Sequence, residues 1–159
     1  QGLGVTRTTI NRYLRLLEQS FIIKRIYSFS NNPRKELKKA FKVFFLDTGV
    51  RNALVDINSP MTSRTDKGAI FENFFVTEIM KKGTLEIFPP EIMFWLTRVG
   101  DEIDVIEKNG IEISAFECKW NETASIPASF KTAYPNALFK NITTENIVSH
   151  FLSNSPTPL

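Results

Sequence analysis

The sequence predicts an α/β fold: an N-terminal winged helix-turn-helix, then a mixed sheet flanked by helices. Three observations carry this prediction. A helix with one apolar stripe opens the chain, and two strand-like runs separated by a basic segment follow it. A long, heavily apolar helix then precedes several short strand-like runs. Asn109-Gly110 lies between two of those runs, and Asn-Gly in that setting is the strongest short-range hairpin signal. Helix, strands, hairpin, helix and strand in that order describe a sheet covered by helices.

The first helix follows Leu3-Gly4-Val5-Thr6 and carries Ile10, Leu14, Leu17 and Phe21 at three- and four-residue intervals, which makes one apolar stripe. Thr6 stands where a hydroxyl can accept a bond from a free backbone N–H. Arg7, Thr8, Asn11, Arg12 and Arg15 fall largely on the other face. A glycine turn, a capping threonine and a helix with early basic residues read as the second helix of a helix-turn-helix. Phe21 to Phe29 and Phe41 to Leu46 are strand-like, and Ser30 to Lys39 between them is a basic loop, so the three form a wing. Asp47-Thr48 caps a short helix through Leu54. Winged helices connect proteins as well as read DNA. In a DNA complex Arg7, Arg12, Arg15, Arg34, Lys35, Lys38 and Lys39 supply phosphate contacts, whose affinity falls steeply with salt.

In the second half, Thr65-Asp66 starts a helix over 67–82, with Gly83 just past its end and Ile70, Phe74, Val76 and Ile79 giving it a buried character. Leu85 to Phe88 and Met93 to Arg98 are strand-like, split by Pro89-Pro90. Glu102 to Glu107 and Ile111 to Trp120 form the hairpin around Asn109-Gly110. Ser125-Ile126-Pro127 opens a helix that stops at Tyr134-Pro135. Ala137 to Ile142 is a strand, Thr144 caps a last helix over 145–152, and a disordered tail ends the chain. The expected domains are 1–60 and 61–153, with 154–159 as tail.

Charge divides at the same place. Residues 1–60 hold 11 Lys+Arg against 4 Asp+Glu, and residues 61–159 hold 9 against 13. A basic front and an acidic back suggest a polyanion-binding surface joined to a separate task. A single cysteine rules out an intramolecular disulfide framework and fits a reducing cytoplasm. No run approaches the ~20 apolar residues that span a bilayer, and no signal-peptide pattern opens the chain, so no membrane partner is expected. The first residue is Gln1 rather than Met, which suggests a fragment of a larger protein.

The candidate chemistry lies in Glu72, Asp104, Glu117 and Lys119. Glu72 sits beside Phe71, Phe74 and Phe75, where a carboxylate is costly unless paired, hydrogen-bonded or on a metal. With Asn109-Gly110 as a two-residue turn, Lys108 faces Ile111 and Asp104 faces Ala115. Asp104 and Glu117 are then diagonal neighbours on one sheet face, roughly 7–8 Å apart at the backbone. Cys118 points to the other face and packs. Three carboxylates of this kind can hold Mg²⁺ or Mn²⁺, which neutralises a phosphodiester and lowers the pKa of a bound water. Lys119 can orient that water or stabilise the transition state. His150, the only histidine, gives no basis for a zinc site.

This order of elements, with Glu72, Asp104 and Glu117-Cys118-Lys119, resembles the PD-(D/E)XK nuclease-like superfamily, whose restriction-endonuclease-like core runs α-β-β-β-α-β. The resemblance implies Glu72, Asp104 and Glu117 as metal ligands and Lys119 as the catalytic lysine. The proline that usually precedes the aspartate is replaced by Ile103. The segments Leu3–Arg7, Phe45–Leu54, Gly68–Phe74, Glu102–Val105 and Glu117–Trp120 further resemble the C-terminal uncharacterised domain of prokaryotic AAA-type P-loop ATPases. That family joins a winged helix to a nuclease-like fold. No G-x-x-x-x-G-K-[ST] occurs here, so the ATPase module of the same polypeptide is the expected partner.

Two readings follow from the resemblance. In the first, the chain is a DNA-associated module of a larger ATPase and a Mg²⁺-dependent DNA endonuclease. In the second, the same fold is catalytically inactive and regulates the ATPase by binding DNA or protein. A third reading is a plain winged-helix regulator whose back half forms an oligomer.

Overall fold

The computed structural model describes residues 4–30, 40–56 and 59–153. Within them the chain forms a mixed α/β structure with five α-helices and one six-stranded mixed sheet. The front half supplies α1 (Arg7–Gln19), β1 (Ile23–Phe29), β2 (Phe41–Phe45) and α2 (Thr48–Leu54). The back half supplies α3 (Lys67–Gly83), β3 (Glu91–Leu96), β4 (Glu102–Asn109), β5 (Glu112–Cys118), α4 (Ala128–Ala133), β6 (Leu138–Ile142) and α5 (Ile147–Ser153). No helix among the described residues is long and apolar enough to cross a membrane.

The sheet order is β2-β1-β3-β4-β5-β6. The pairs β2/β1, β3/β4 and β4/β5 are antiparallel, and β1/β3 and β5/β6 are parallel. The two front strands therefore extend the back half's sheet, through Ser28 opposite Phe94 and Phe29 opposite Trp95. The boundary expected near residue 60 does not interrupt the sheet.

Alternation along the strands sends side chains into two cores. On one face Phe71, Phe75, Val76 and Ile79 of α3 and Ile147 of α5 meet Ile26, Phe44, Phe94, Val105, Phe116 and Cys118. On the other, Phe130 and Tyr134 cover Phe29, Trp95, Ile103, Ile106 and Ala115. Phe74, expected inside, is exposed, because its position on α3 turns away from the sheet.

Several boundaries differ from expectation for local reasons. Leu85 to Phe88 forms no strand. It continues the turn that leaves α3, with Thr84 and Leu85 donating to the carbonyls of Lys81 and Lys82, and Pro89-Pro90 lacks the N–H groups a ladder needs. Gly83 is the last residue of α3, and a Cβ there would stand 3.4 Å from Pro90 Cδ. Asp66 makes no cap bond to α3, because Arg64 and Arg51 take its carboxylate at 2.8 Å each. Thr6 and Asp47 do cap α1 and α2, accepting from the N–H groups of Thr9 and Val50. Thr144 does not cap α5; its hydroxyl donates to the Trp120 carbonyl.

The hairpin turn is Gly110-Ile111, not Asn109-Gly110. Asn109 pairs with Glu112, and Gly110 has φ +61°, which suits a glycine at the first central position of a type II′ hairpin. Ile106, not Asp104, therefore faces Ala115. Continuing that register places Asp104 directly opposite Glu117 rather than diagonally.

Candidate functional site

The site begins with a bulge. β3 and β4 pair Met93 with Ile106 but Trp95 with Ile103. One residue, Phe94, thus opposes two, Asp104 and Val105, and such an insertion re-aims side chains. The Asp104 carboxylate turns both ways: Oδ2 accepts from the Cys118 N–H at 2.9 Å, and Oδ1 lies 3.6 Å from Lys42 Nζ.

Lys42 is the centre of the cluster. Its Nζ donates to Glu72 Oε1 at 2.7 Å and stands 2.5 Å from Glu102 Oε1. It also lies over the Phe94 ring, 5.4 Å from the centroid. Lys42 comes from β2 of the front half, Glu72 from α3, and Glu102 and Asp104 from β4. Burial alone would lower the Lys42 pKa, but the charges of Glu72 and Asp104 and the bonds to Glu102 and Glu72 outweigh it and raise the pKa. Glu72 is also raised: burial disfavours its charge more than the single ammonium, shared among three acids, restores it.

Glu117 and Lys119 form a separate pair at 2.8 Å. Burial is the main force raising Glu117, and the bond to Glu117 raises Lys119. Glu117 Oε2 is buried and has no hydrogen-bond partner among the described residues. Of the four predicted site residues, then, Glu72 and Asp104 meet around Lys42, while Glu117 pairs with Lys119 and stands beside Asp104, whose charge also helps to raise its pKa.

As placed, Glu72, Glu102 and Asp104 hold the Lys42 ammonium. Among the described residues no three His, Cys, Asp or Glu side chains are gathered to hold one ion. Nitrogen–oxygen distances of 2.5 to 3.6 Å suit an ammonium, whereas Mg²⁺ takes oxygens at about 2.1 Å. Sequence reasoning missed Lys42 and Glu102. Two signals were available: a lone lysine inside the apolar run Phe41–Phe45, and Glu102 two residues before Asp104 on one strand.

On the front half, Arg7, Arg12 and Arg15 are all exposed on α1. Arg34, Lys35, Lys38 and Lys39 lie outside the described residues. The predicted apolar stripe of α1 is largely uncovered as well: Ile10 is 42% and Phe21 80% exposed. Cys118 is buried, as packing requires, and burial pushes its thiol well up. His150 packs against Phe75, Phe116 and Phe151.

Residues 67–151, more than half of the chain, match the profile of the family described as Domain of unknown function (DUF4143). The chain belongs to this family. DUF4143 is a domain found in AAA-ATPase-associated proteins. Residues 1–61, ahead of the DUF4143 region, match a second profile, Domain of unknown function (DUF8612). Among curated proteins, Uncharacterized protein Mb2031c of Mycobacterium bovis and Uncharacterized protein Rv2008c of Mycobacterium tuberculosis are each 26% identical to this DUF4143 chain over 135 residues. The alignments cover 84% of the chain and 30% of each relative, so the chain spans well under half the length of these relatives. No solved structure matches the chain significantly.

Proposed function

We propose that the chain is a DNA-associated regulatory module of a larger ATPase, with a nuclease-like core whose acid cluster is neutralised by an internal lysine. The observation that carries this reading is Lys42 Nζ, set among Glu72, Glu102 and Asp104 at 2.7, 2.5 and 3.6 Å. An ammonium there supplies the positive charge that a catalytic metal supplies in a live site. The element order α3-β3-β4-β5-α4-β6 supports the restriction-endonuclease-like reading of the core. The sequence of α1, β1 and β2 supports the winged helix, and exposed Arg7, Arg12 and Arg15 suit phosphate contact. The greater length of the relatives and the association of DUF4143 with AAA-ATPases support an ATPase module as partner.

One observation favours the competing reading, a Mg²⁺-dependent endonuclease. Glu117 Oε2 is buried and has no hydrogen-bond partner among the described residues, opposite Asp104 and beside Lys119, where that reading needs a ligand. Titration of Mg²⁺ and Mn²⁺ into the purified chain, beside Asp104→Ala, separates the two. No binding at millimolar metal is the expected result. Binding by the wild-type chain that disappears in Asp104→Ala would sink the regulatory reading and direct attention to DNA cleavage with Lys119→Ala as control.

A further inference from the structure

We propose that two copies of this chain associate about a two-fold axis, each pressing Ile87 and Phe88 into a cleft between β1 and β3 of the other.

The cleft comes from an unfinished ladder. Among the described residues β1 and β3 pair only at Ser28 with Phe94 and at Phe29 with Trp95. Continuing that register would set Tyr27 opposite Met93, Ile26 opposite Ile92 and Arg25 opposite Glu91, but the strands part there. A cavity of about 500 Å³ occupies the gap, lined by Ile26, Met80, Ile92 and Met93 and by Lys24 and Pro89. Strand addition is obstructed at this place. Glu18 Oε1 already takes the Arg25 N–H at 2.8 Å, and Pro89 and Pro90, just ahead of β3, have no N–H to give. What remains is a recess that takes side chains rather than a strand.

The segment beside the cleft carries such side chains. Thr84 and Pro89 line the cavity, and between them Leu85, Ile87 and Phe88 are 82%, 89% and 79% exposed. Three large apolar side chains bared within four residues are clustered rather than scattered, which marks a contact surface.

The occupant that fits the cleft is the same segment of a second copy. Segment and cleft adjoin, so a two-fold rotation that carries one copy's Ile87 and Phe88 to the other's cleft also carries the second segment to the first cleft. The contact then closes as a pair. Charge agrees with this. Glu86 lies inside the segment and Lys24 at the cleft, and among the described residues neither forms an ion pair within its own chain. Across the axis Glu86 meets Lys24 of the partner subunit, and the symmetry makes that pair twice. Pairs at a rim set register more than strength, and a surface this small makes a weak, concentration-dependent dimer. None of these residues belongs to the acid cluster around Lys42, so the pairing stands or falls apart from the regulatory reading.

Sedimentation equilibrium of the whole chain over micromolar to millimolar concentration is the test, with circular dichroism melts as the folding control. The wild-type mass is expected to rise from 18.2 kDa towards twice that value. Ile87→Asp, at a nearly fully exposed position, should melt like wild type and stay monomeric, with Phe88→Ser read in the same way should Ile87→Asp not fold. Lys24→Glu and Glu86→Lys should each weaken dimerisation by about tenfold, and Lys24→Glu/Glu86→Lys should return to within about threefold of wild type. A wild-type chain that stays monomeric overturns the proposal. So does a dimer that survives Ile87→Asp with its fold intact, which runs through another face such as the exposed stripe of α1. Loss in both single charge variants without recovery in the double takes the cleft out of the interface and overturns it as well.

Discussion

Lys42 Nζ lies 2.7 Å from Glu72 Oε1 across thirty residues of sequence, and that contact fastens the outermost strand of the sheet to its main covering helix. A quarter of the Lys42 side chain remains exposed, so the pair is half-dry. Removing one member strands the other in a place where its charge is poorly solvated.

Lys42→Ala is therefore expected to cost about 2 kcal/mol, less than the roughly 3–5 kcal/mol of breaking a fully buried pair, because solvent still reaches the site. Urea denaturation of Lys42→Ala, Glu72→Gln and the double variant measures it. The double variant should lose clearly less than the sum of the singles, since neither charge is then left alone. Simple additivity would show that the contact is surface decoration.

Phe75 has no exposed surface and its ring meets Phe116, Phe151 and His150. Truncation to alanine opens a cavity that α3 cannot close without leaving the sheet. Phe75→Ala should lose about 3–5 kcal/mol in chemical denaturation; a loss below about 1 kcal/mol would mean that α3 packs differently.

Two carboxyls give pH dependences of opposite sign. Arg64 and then Arg51 hold Asp66 well below the usual carboxylate range. Its stabilisation is present above the unfolded value near about 4 and is lost as pH falls below it. Burial raises Glu72, so the folded chain holds the extra proton and stability declines as pH rises from about 4.3 through the folded pKa. Melting curves from pH 2 to 8 should show Asp66→Asn flattening the acid limb and Glu72→Gln flattening the limb above it. Unchanged limbs in both variants would remove these residues from the titration.

The DNA reading has a quantitative signature. Each phosphate that a side chain ceases to neutralise lowers the slope of log affinity against log salt by about 0.9. Replacing Arg7, Arg12 and Arg15 by alanine should reduce the slope by about 2 to 3 for nonspecific duplex. An unchanged slope would take α1 off the DNA.

The sequence made α1, α3 and most strands legible because each is rich in apolar residues, at Ile10, Leu14 and Leu17 or at Ile70, Val76 and Ile79, although Phe74, counted with the latter, is exposed. It misplaced the hairpin turn because Asn109-Gly110 and Gly110-Ile111 are both good local solutions, and distant pairing chose the second. The error was two residues in register, so the inward and outward faces survived it. The bulge at Asp104 and Val105 left no local trace, because it is made by β3. Lys42 was hidden for the same reason: its partners lie in α3 and β4, and a lysine in a short strand declares nothing about a companion thirty residues away. Glu72 was the exception. Its aromatic neighbours announced that it needed a partner, though not which one.

The joint between β1 and β3 makes the chain indivisible. Cutting it near residue 61, where the two family regions meet, would bare the β3 backbone at Phe94 and Trp95 and strip Ile26, Phe44 and Lys42 from the back half. The back piece would carry a raw hydrogen-bonding edge beside an uncovered apolar surface and three uncompensated acids, which invites aggregation. The practical unit for expression, crystallisation or fusion to a foreign ATPase is therefore the whole sheet, α1 through α5.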